Sequence, residues 1–271
     1  MDILKSEACR GVRQPGRIVA ERYEKMKRYR VWVSYDGTAY HGWQSQDGTD
    51  TIEGRLKEAL RDLFGVEIEV IGASRTDAGV HALSNVAVFD AETRMPAEKI
   101  CYALNQRLPE DIRVWKSEEV EEDFHPRHTD VEKTYIYRIH DSRIPNPLMT
   151  RYAYHTYLPL DVEKMNEAAQ KLVGEHDFAA FCASGSQAKT TVRTILGIAV
   201  TREGDRMIQI RVRGTGFLYN MVRIIAGTLF EIGAGRRDAE CISRALLSGN
   251  RTDAGPTAPP CGLCLEEIVY L

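Results

Sequence analysis

Gly72-Ala73-Ser74-Arg75-Thr76-Asp77-Ala78-Gly79-Val80-His81-Ala82 stands between two stretches of alternating apolar residues. Val66, Ile68 and Val70 precede it and Val86 and Val88 follow, so a period of two holds on both flanks and the middle reads as a loop between strands. A loop tip carrying Arg75 and Asp77, held on a rigid base, is a good place for a reacting carboxylate. Asp-Ala-Gly also has a plainer reading, an Asx turn that stabilises only its own loop. The rest of the chain has to decide between them.

Upstream, Arg30–Tyr35 alternates as a short strand. Asp50-Thr51-Ile52-Glu53 has the form of a capping box, and Ile52, Leu56, Ala59, Leu60, Leu63 and Phe64 follow at helical spacing. Next come strand 66–72, the Asp77 loop, strand 84–90, helix 97–107 and strand 111–117. This β-α-β-β-α-β order then recurs. Strand 133–140 alternates Tyr135, Tyr137 and Ile139. Helix 162–173 starts at an Asp161 cap, with Leu160 and Met165 placed as a hydrophobic staple, and stops at Gly174. A hairpin of strands 191–201 and 207–213, helices 217–232 and 238–247, and strand 263–270 complete the pattern. The expected class is α+β, as two split β-α-β (ferredoxin-like) halves whose antiparallel sheets meet at a central cleft. Residues 29–120 make the N-terminal half and 121–271 the C-terminal half, with the ligand expected between them.

Residues 1–28 contain Gly11, Pro15 and Gly16 without sustained periodicity and read as a basic extension. Residues 1–30 hold nine Lys/Arg against four Asp/Glu, so a chain of net charge −3 carries +5 there and −8 elsewhere. Much of the negative charge is local, in Glu118-Glu119-Val120-Glu121-Glu122-Asp123, which reads as a solvated face or linker. Arg202, Arg206, Arg211, Arg213 and Arg223 fall close together with only Glu203 and Asp205 among them, a pattern able to bind phosphates whatever the total charge. No apolar run approaches the roughly 20 residues that span a bilayer. The N-terminus lacks the apolar core of a secretory signal, so a cytoplasmic location is expected. Six scattered cysteines do not form a disulfide framework. Cys261 and Cys264 have knuckle spacing but no matching second pair, so no metal is expected.

Segment 217–232 combines an apolar stripe (Leu218, Met221, Val222, Ile225, Leu229, Ile232) with further apolar residues beyond it. Arg223 interrupts it, with Gly227 one turn on. A guanidinium there either snorkels to water or meets a carboxylate.

Four segments in order carry a resemblance: Tyr35-Asp36-Gly37-Thr38-Ala39-Tyr40-His41-Gly42-Trp43-Gln44, the Arg75–His81 loop, Lys133-Thr134-Tyr135-Ile136-Tyr137-Arg138 and Gly216-Phe217-Leu218-Tyr219-Asn220-Met221-Val222-Arg223. Together they resemble the tRNA pseudouridine synthase A family, from about residue 29 to the end. The resemblance implies isomerisation of uridine to pseudouridine in the tRNA anticodon stem-loop, around positions 38–40. It also implies a homodimer whose tRNA touches both subunits, and no cofactor. By position, Asp77 is the implied catalytic carboxylate, Tyr135 the aromatic against the target base and Arg223 the ion-pair partner of Asp77. Arg75 and Arg127 are implied RNA contacts, and Leu263 an apolar lining of the pocket. Pro126, His128 and Asp130 depart from the family pattern around Arg127, which bears on RNA contact and not on the chemistry.

The chemistry fits these residue types. The N-glycosidic bond must break, the uracil must turn, and carbon 5 must join the sugar. A carboxylate can attack the sugar, attack the ring or support a transient cation, and an adjacent Arg keeps it charged. Leaving the stack costs a few kcal/mol, offset by aromatic stacking and base-edge contacts. A non-catalytic RNA-binding protein on the same fold is the second reading, set against the full Arg75/Asp77/Tyr135/Arg223 set. A metal-dependent hydrolase would need a ligand cluster that the sequence does not offer.

Overall fold

Alternation in the first strand, β1 (Lys27–Tyr35), turns Tyr29, Val31, Val33 and Tyr35 inward and leaves the residues between them part-exposed. The computed structural model describes residues 25–271. The expected basic extension therefore lies almost wholly outside the described residues, and its last two positions, Lys27 and Arg28, already belong to β1.

The elements follow as α1 (Ile52–Phe64), β2 (Ile71–Gly72), β3 (His81–Ala91), α2 (Ile100–Asn105) and β4 (Ile112–Val120). After them come β5 (Val131–Asp141), β6 (Tyr154–Thr156), α3 (Val162–Ala169), β7 (Gly174–Asp177), β8 (Val192–Glu203) and β9 (Met207–Gly214). Helices α4 (Met221–Gly233) and α5 (Glu240–Ser248) lead to β10 (Leu263–Tyr270). In place of two sheets facing across a cleft, the strands form one ten-stranded sheet in the order β4-β1-β3-β10-β5-β9-β8-β7, with β2 on β3 and β6 on β5. The join is β10, which pairs parallel to β3 through Cys264 and Leu265 and antiparallel to β5 along most of its length. A C-terminal strand inserted between the halves closes both inner edges, which would otherwise be open templates for pairing.

Several local expectations change. Residues 66–70 keep their alternation and bury Ile68 and Val70, but only Ile71 and Gly72 join the β3 ladder. Helix α1 is capped by Thr51, whose side chain accepts from Gly54 N, and not by Asp50. Asp50 instead pairs with Arg55, at 2.8 and 2.6 Å. Glu53 turns away from the cap to accept from Gln44 Nε2 (2.7 Å) and Ser45 N (3.0 Å). Asp161 does cap α3, accepting from Lys164 N at 3.0 Å, although the α-helix stops at Ala169 and a 3-10 turn continues it. In the acidic run, Glu118 and Glu119 belong to β4, where Arg30 holds the first and Lys27 the second at 2.8 Å.

The expected helix 217–232 begins only at Met221. Asn220 lies in the left-handed region at φ 59°, which an α-helix cannot continue through, so residues 217–220 form a turn ahead of α4. Gly227 has a steric reason for being glycine. A Cβ there would stand 1.9 Å from the Pro256 carbonyl oxygen, so the chain from Ala254 to Ala258 can lie against α4 only because that side chain is missing.

Candidate active site

The Asp77 loop is fastened residue by residue, mostly by side chains reaching from other elements. Arg127 Nε donates to the Gly72 carbonyl (2.7 Å) and Lys133 Nζ to that of Ala73 (2.9 Å). Asn85 Nδ2 donates to the Ser74 carbonyl (2.9 Å), and Ser74 Oγ meets the Tyr135 hydroxyl at 2.9 Å. Thr76 Oγ1 meets the Tyr35 hydroxyl (2.8 Å), and the Thr76 carbonyl accepts from Trp43 N (3.0 Å). That last bond explains Gly42, which sits at φ +90° with its missing Cβ only 2.5 Å from the Thr76 oxygen. Such a loop spends little free energy on ordering when a substrate arrives.

Asp77 projects from this frame toward α4. Its Oδ2 lies 3.3 Å from Arg223 NH1, and 21% of the Asp77 side chain and 15% of the Arg223 side chain remain exposed. Both side chains are therefore mostly enclosed, with a part of each reaching solvent. Arg223 is aimed by two further bonds, NH1 to Asn220 Oδ1 and Nε to the Ala258 carbonyl, both 2.8 Å. The strained Asn220 thus both starts α4 and steers the guanidinium. The Ala258 contact depends on the close approach that Gly227 permits. Among the described residues Oδ1 of Asp77 has no hydrogen-bond partner, so one carboxylate oxygen is left for a ligand. Burial pushes the Asp77 carboxyl above its ordinary value, and the charge and hydrogen bond of Arg223 pull back against that rise.

Tyr135 lines the same place. Its ring is buried and meets Phe217 edge-on, centroids 5.2 Å apart. Its hydroxyl is pushed up to about 12 by burial, with the Ser74 bond acting the other way and the negative charge of Asp77 adding to the rise. Leu263 is buried at the start of β10 and pairs with Tyr137, while Leu265 stands opposite Tyr135. Arg75 is exposed on the loop and has no hydrogen bond or ion pair among the described residues. Arg127 is exposed beside it, its basicity lowered by partial burial and then by the like charge of Arg75.

The six residues singled out in the sequence therefore gather around one loop, β5 and α4. Ser74, Asn220, Phe217 and Lys133 are additions that sequence reasoning did not single out, though the last three lie within the four motif segments and Ser74 immediately precedes one of them. The arginine-rich stretch 202–223 does not form one patch. Arg202 pairs with Asp141 (2.9 Å), Arg211 with Glu266 (2.7 Å) and Arg213 with Glu132 (3.6 Å), while Arg223 belongs to the site. Cys261 and Cys264 are free thiols engaged with different backbone carbonyls, those of Ala153 and Leu265. A cavity of about 550 Å³ lies elsewhere, lined by Asp36, His81, Leu83, Asp111, Arg138 and Tyr152 among others, and Asp77 does not border it.

A sequence profile described as tRNA pseudouridine synthase matches residues 31–128 and 168–271. The tRNA pseudouridine synthase A of Acetivibrio thermocellus is 45% identical over 245 residues, which is 90% of this chain and 100% of that protein. A protein of the same description from Thermoanaerobacter sp. is 46% identical over 245 residues, with the same shares. The tRNA pseudouridine synthase A 2 of Clostridium tetani is 47% identical over 246 residues, 90% of this chain and 99% of its own. Similarity of this extent covers the Asp77 loop, α4 and β10 alike, and the chain belongs to the tRNA pseudouridine synthase family, isomerases that convert uridine to pseudouridine in tRNA.

Proposed function

We propose that this enzyme acts on uridine in the tRNA anticodon stem-loop, around positions 38–40, with Asp77 as the catalytic carboxylate. The observation that carries the reading is a part-exposed carboxylate on a loop fastened at Gly72, Ala73, Ser74 and Thr76, with one oxygen held by Arg223 and the other open. Arg223 keeps Asp77 ionised against its burial and orients it. The carboxylate then breaks the glycosidic bond by one of three routes: attack on the sugar, attack on the ring, or support of a transient cation. The freed uracil turns between Tyr135 and Leu263, and carbon 5 joins the sugar.

Carbon 5 must finally lose its proton to solvent, while N1, released from the sugar, takes one up. The Tyr135 hydroxyl is a phenol at neutral pH, so in this reading it acts as one link of a relay with Ser74 Oγ and not as a standing phenolate. Arg75, unpaired at the loop tip, contacts RNA and helps extrude the base, and Arg127 takes a neighbouring contact. Atoms are conserved and nothing is oxidised or reduced, so the reaction calls for no redox cofactor.

Two halves, 29–120 and 121–271, remain the proposed division, repeating a split β-α-β pattern although one sheet runs through both. A homodimer is the proposed assembly. Residues 142–157 support it, since Ile144, Leu148 and Tyr157 are 78%, 80% and 71% exposed in one segment, an apolar surface that a second subunit would cover. Among the described residues no helix is long and apolar enough to cross a membrane. The cytoplasm, where tRNA is, is the proposed location. Release of tritium from tRNA labelled at uridine carbon 5, followed by mapping of pseudouridine in the product, tests this function. Catalysis at 38–40 gives release and a mapped product there. Tight binding without release would favour the non-catalytic RNA-binding alternative.

A further inference from the structure

Lys133 takes no part in the chemistry described so far. It stands on β5 two residues before Tyr135, on the same face of the strand, and its ammonium reaches the Ala73 carbonyl at 2.9 Å. Tyr135 reaches Ser74 Oγ at 2.9 Å. Alternate residues of one strand therefore hold consecutive residues of the Asp77 loop. Both backbone edges of β5 are taken up by β10 and β9, so these side-chain bonds serve where no further ladder can form. On the other side of the entry, Arg127 Nε holds the Gly72 carbonyl at 2.7 Å.

This lysine sits at a disadvantage. Burial, and then the charge of Arg127, push its amine down to about 8. Among the described residues it forms no ion pair with a carboxylate that would offset this. A methionine of similar length would fill the same space without the penalty of a confined charge. What methionine cannot supply is the bond to Ala73.

We propose that Lys133 is a positioning residue for the reaction: by holding the Ala73 carbonyl it fixes the entry of the Asp77 loop and hence the placement of the carboxylate against the target nucleotide. The inference rests on the reading of Asp77 as the reacting group. A displacement of about 1 Å at such a site is enough to lower a rate roughly 100-fold. The effect therefore belongs in the chemical step and not in RNA affinity.

The test uses the full chain and tRNA tritiated at uridine carbon 5, with Lys133→Met, Lys133→Arg and Asp77→Asn side by side. Single-turnover rates at saturating tRNA are measured together with dissociation constants and melting temperatures. Lys133→Met is expected to lower the rate about 30-fold with affinity within about twofold of the parent, and Lys133→Arg, which keeps a donor, to recover most of that loss. Should Lys133→Met melt below the assay temperature, Lys133→Gln, polar but too short to reach Ala73, takes its place with the same expectation. An unchanged rate would overturn the proposal. So would a loss found only in affinity, which would make Lys133 a phosphate contact. Failure of the Asp77 reading is separately visible, because an active Asp77→Asn enzyme would refute that reading, whereas an inactive one beside a normal Lys133→Met removes only the positioning role.

Discussion

The β8–β9 hairpin and the entry to the Asp77 loop carry positive charge in opposite ways. On the hairpin and its sheet neighbours, Arg202, Arg211 and Arg213 each face an acid, at 2.9, 2.7 and 3.6 Å. Around the loop, Arg75 is free among the described residues, and Arg127 and Lys133 are anchored through backbone carbonyls, not through carboxylates. Like charges crowd there: Arg75 acts against Arg127, and Arg127 against Lys133. Exposed ion pairs contribute roughly 0–1 kcal/mol each and leave little net field for an RNA phosphate. Unpaired cations keep theirs, and an arriving phosphate relieves their repulsion. The loop entry thus differs from the hairpin in that Arg75, Arg127 and Lys133 form no carboxylate ion pair among the described residues, and not in the density of its cations.

Removing charge from each region tests the contrast. The largest effect is expected inside the site, where one cation does meet an acid. Arg223→Ala should lower kcat/KM about 10³-fold, since it removes the group that orients and charges Asp77. Because 15% and 21% of the two side chains stay exposed, its effect on stability should fall short of the roughly 3–5 kcal/mol of a fully buried pair. Burial raises the Asp77 pKa and Arg223 lowers it, so without Arg223 the acid limb of the rate–pH profile moves to higher pH. A limb that stays put, measured over the same pH range, would show that the pair does not set the charge of Asp77.

Tyr135→Phe comes next. It keeps the buried ring and its edge contact with Phe217 but loses the bond to Ser74. A fall of about 100-fold, close to that of Tyr135→Leu, is expected if the hydroxyl moves the proton. Near-normal turnover would leave Tyr135 as a stacking platform alone. Arg75→Ala and Arg127→Ala should each weaken tRNA binding about tenfold and flatten the salt dependence by about one charge. The smallest change belongs to the hairpin, where Arg211→Ala should leave affinity within about twofold, its charge being already matched by Glu266. Equal losses from hairpin and loop in a filter-binding titration would erase the distinction between the two regions.

Local pattern was enough to place the Asp77 loop between strands, the face of β5 carrying Tyr135, and the last strand over 263–270. The Arg223–Asp77 pair followed from the cost of a cation in an apolar stretch together with the family resemblance. Four features needed the folded chain. Thr51 outcompetes Asp50 at the α1 cap because Asp50 is taken by Arg55. The alternating stretch 66–70 stays outside the ladder that Ile71 and Gly72 join. Helix α4 starts late because Asn220 adopts a left-handed conformation, which no periodicity reports. The union of the halves into one sheet rests on β10 pairing with residues more than 100 positions away, and the arginine–acid pairs of the hairpin are likewise long-range. Local spacing does not encode such partners.

Asp77→Asn addresses the catalytic carboxylate itself. The folded pKa of Asp77 lies above its unfolded value, so this carboxyl stabilises the fold most at acid pH and loses that contribution as pH rises through the folded value. Asparagine should therefore hold or raise the melting temperature at neutral pH, and tRNA affinity should stay close to that of the parent. Single-turnover release of tritium from uridine carbon 5 is the direct measurement. A folded, tRNA-binding Asp77→Asn protein that releases no more than a trace is the expected result. Release at a rate comparable to the parent enzyme would contradict the assignment of Asp77 as the catalytic carboxylate.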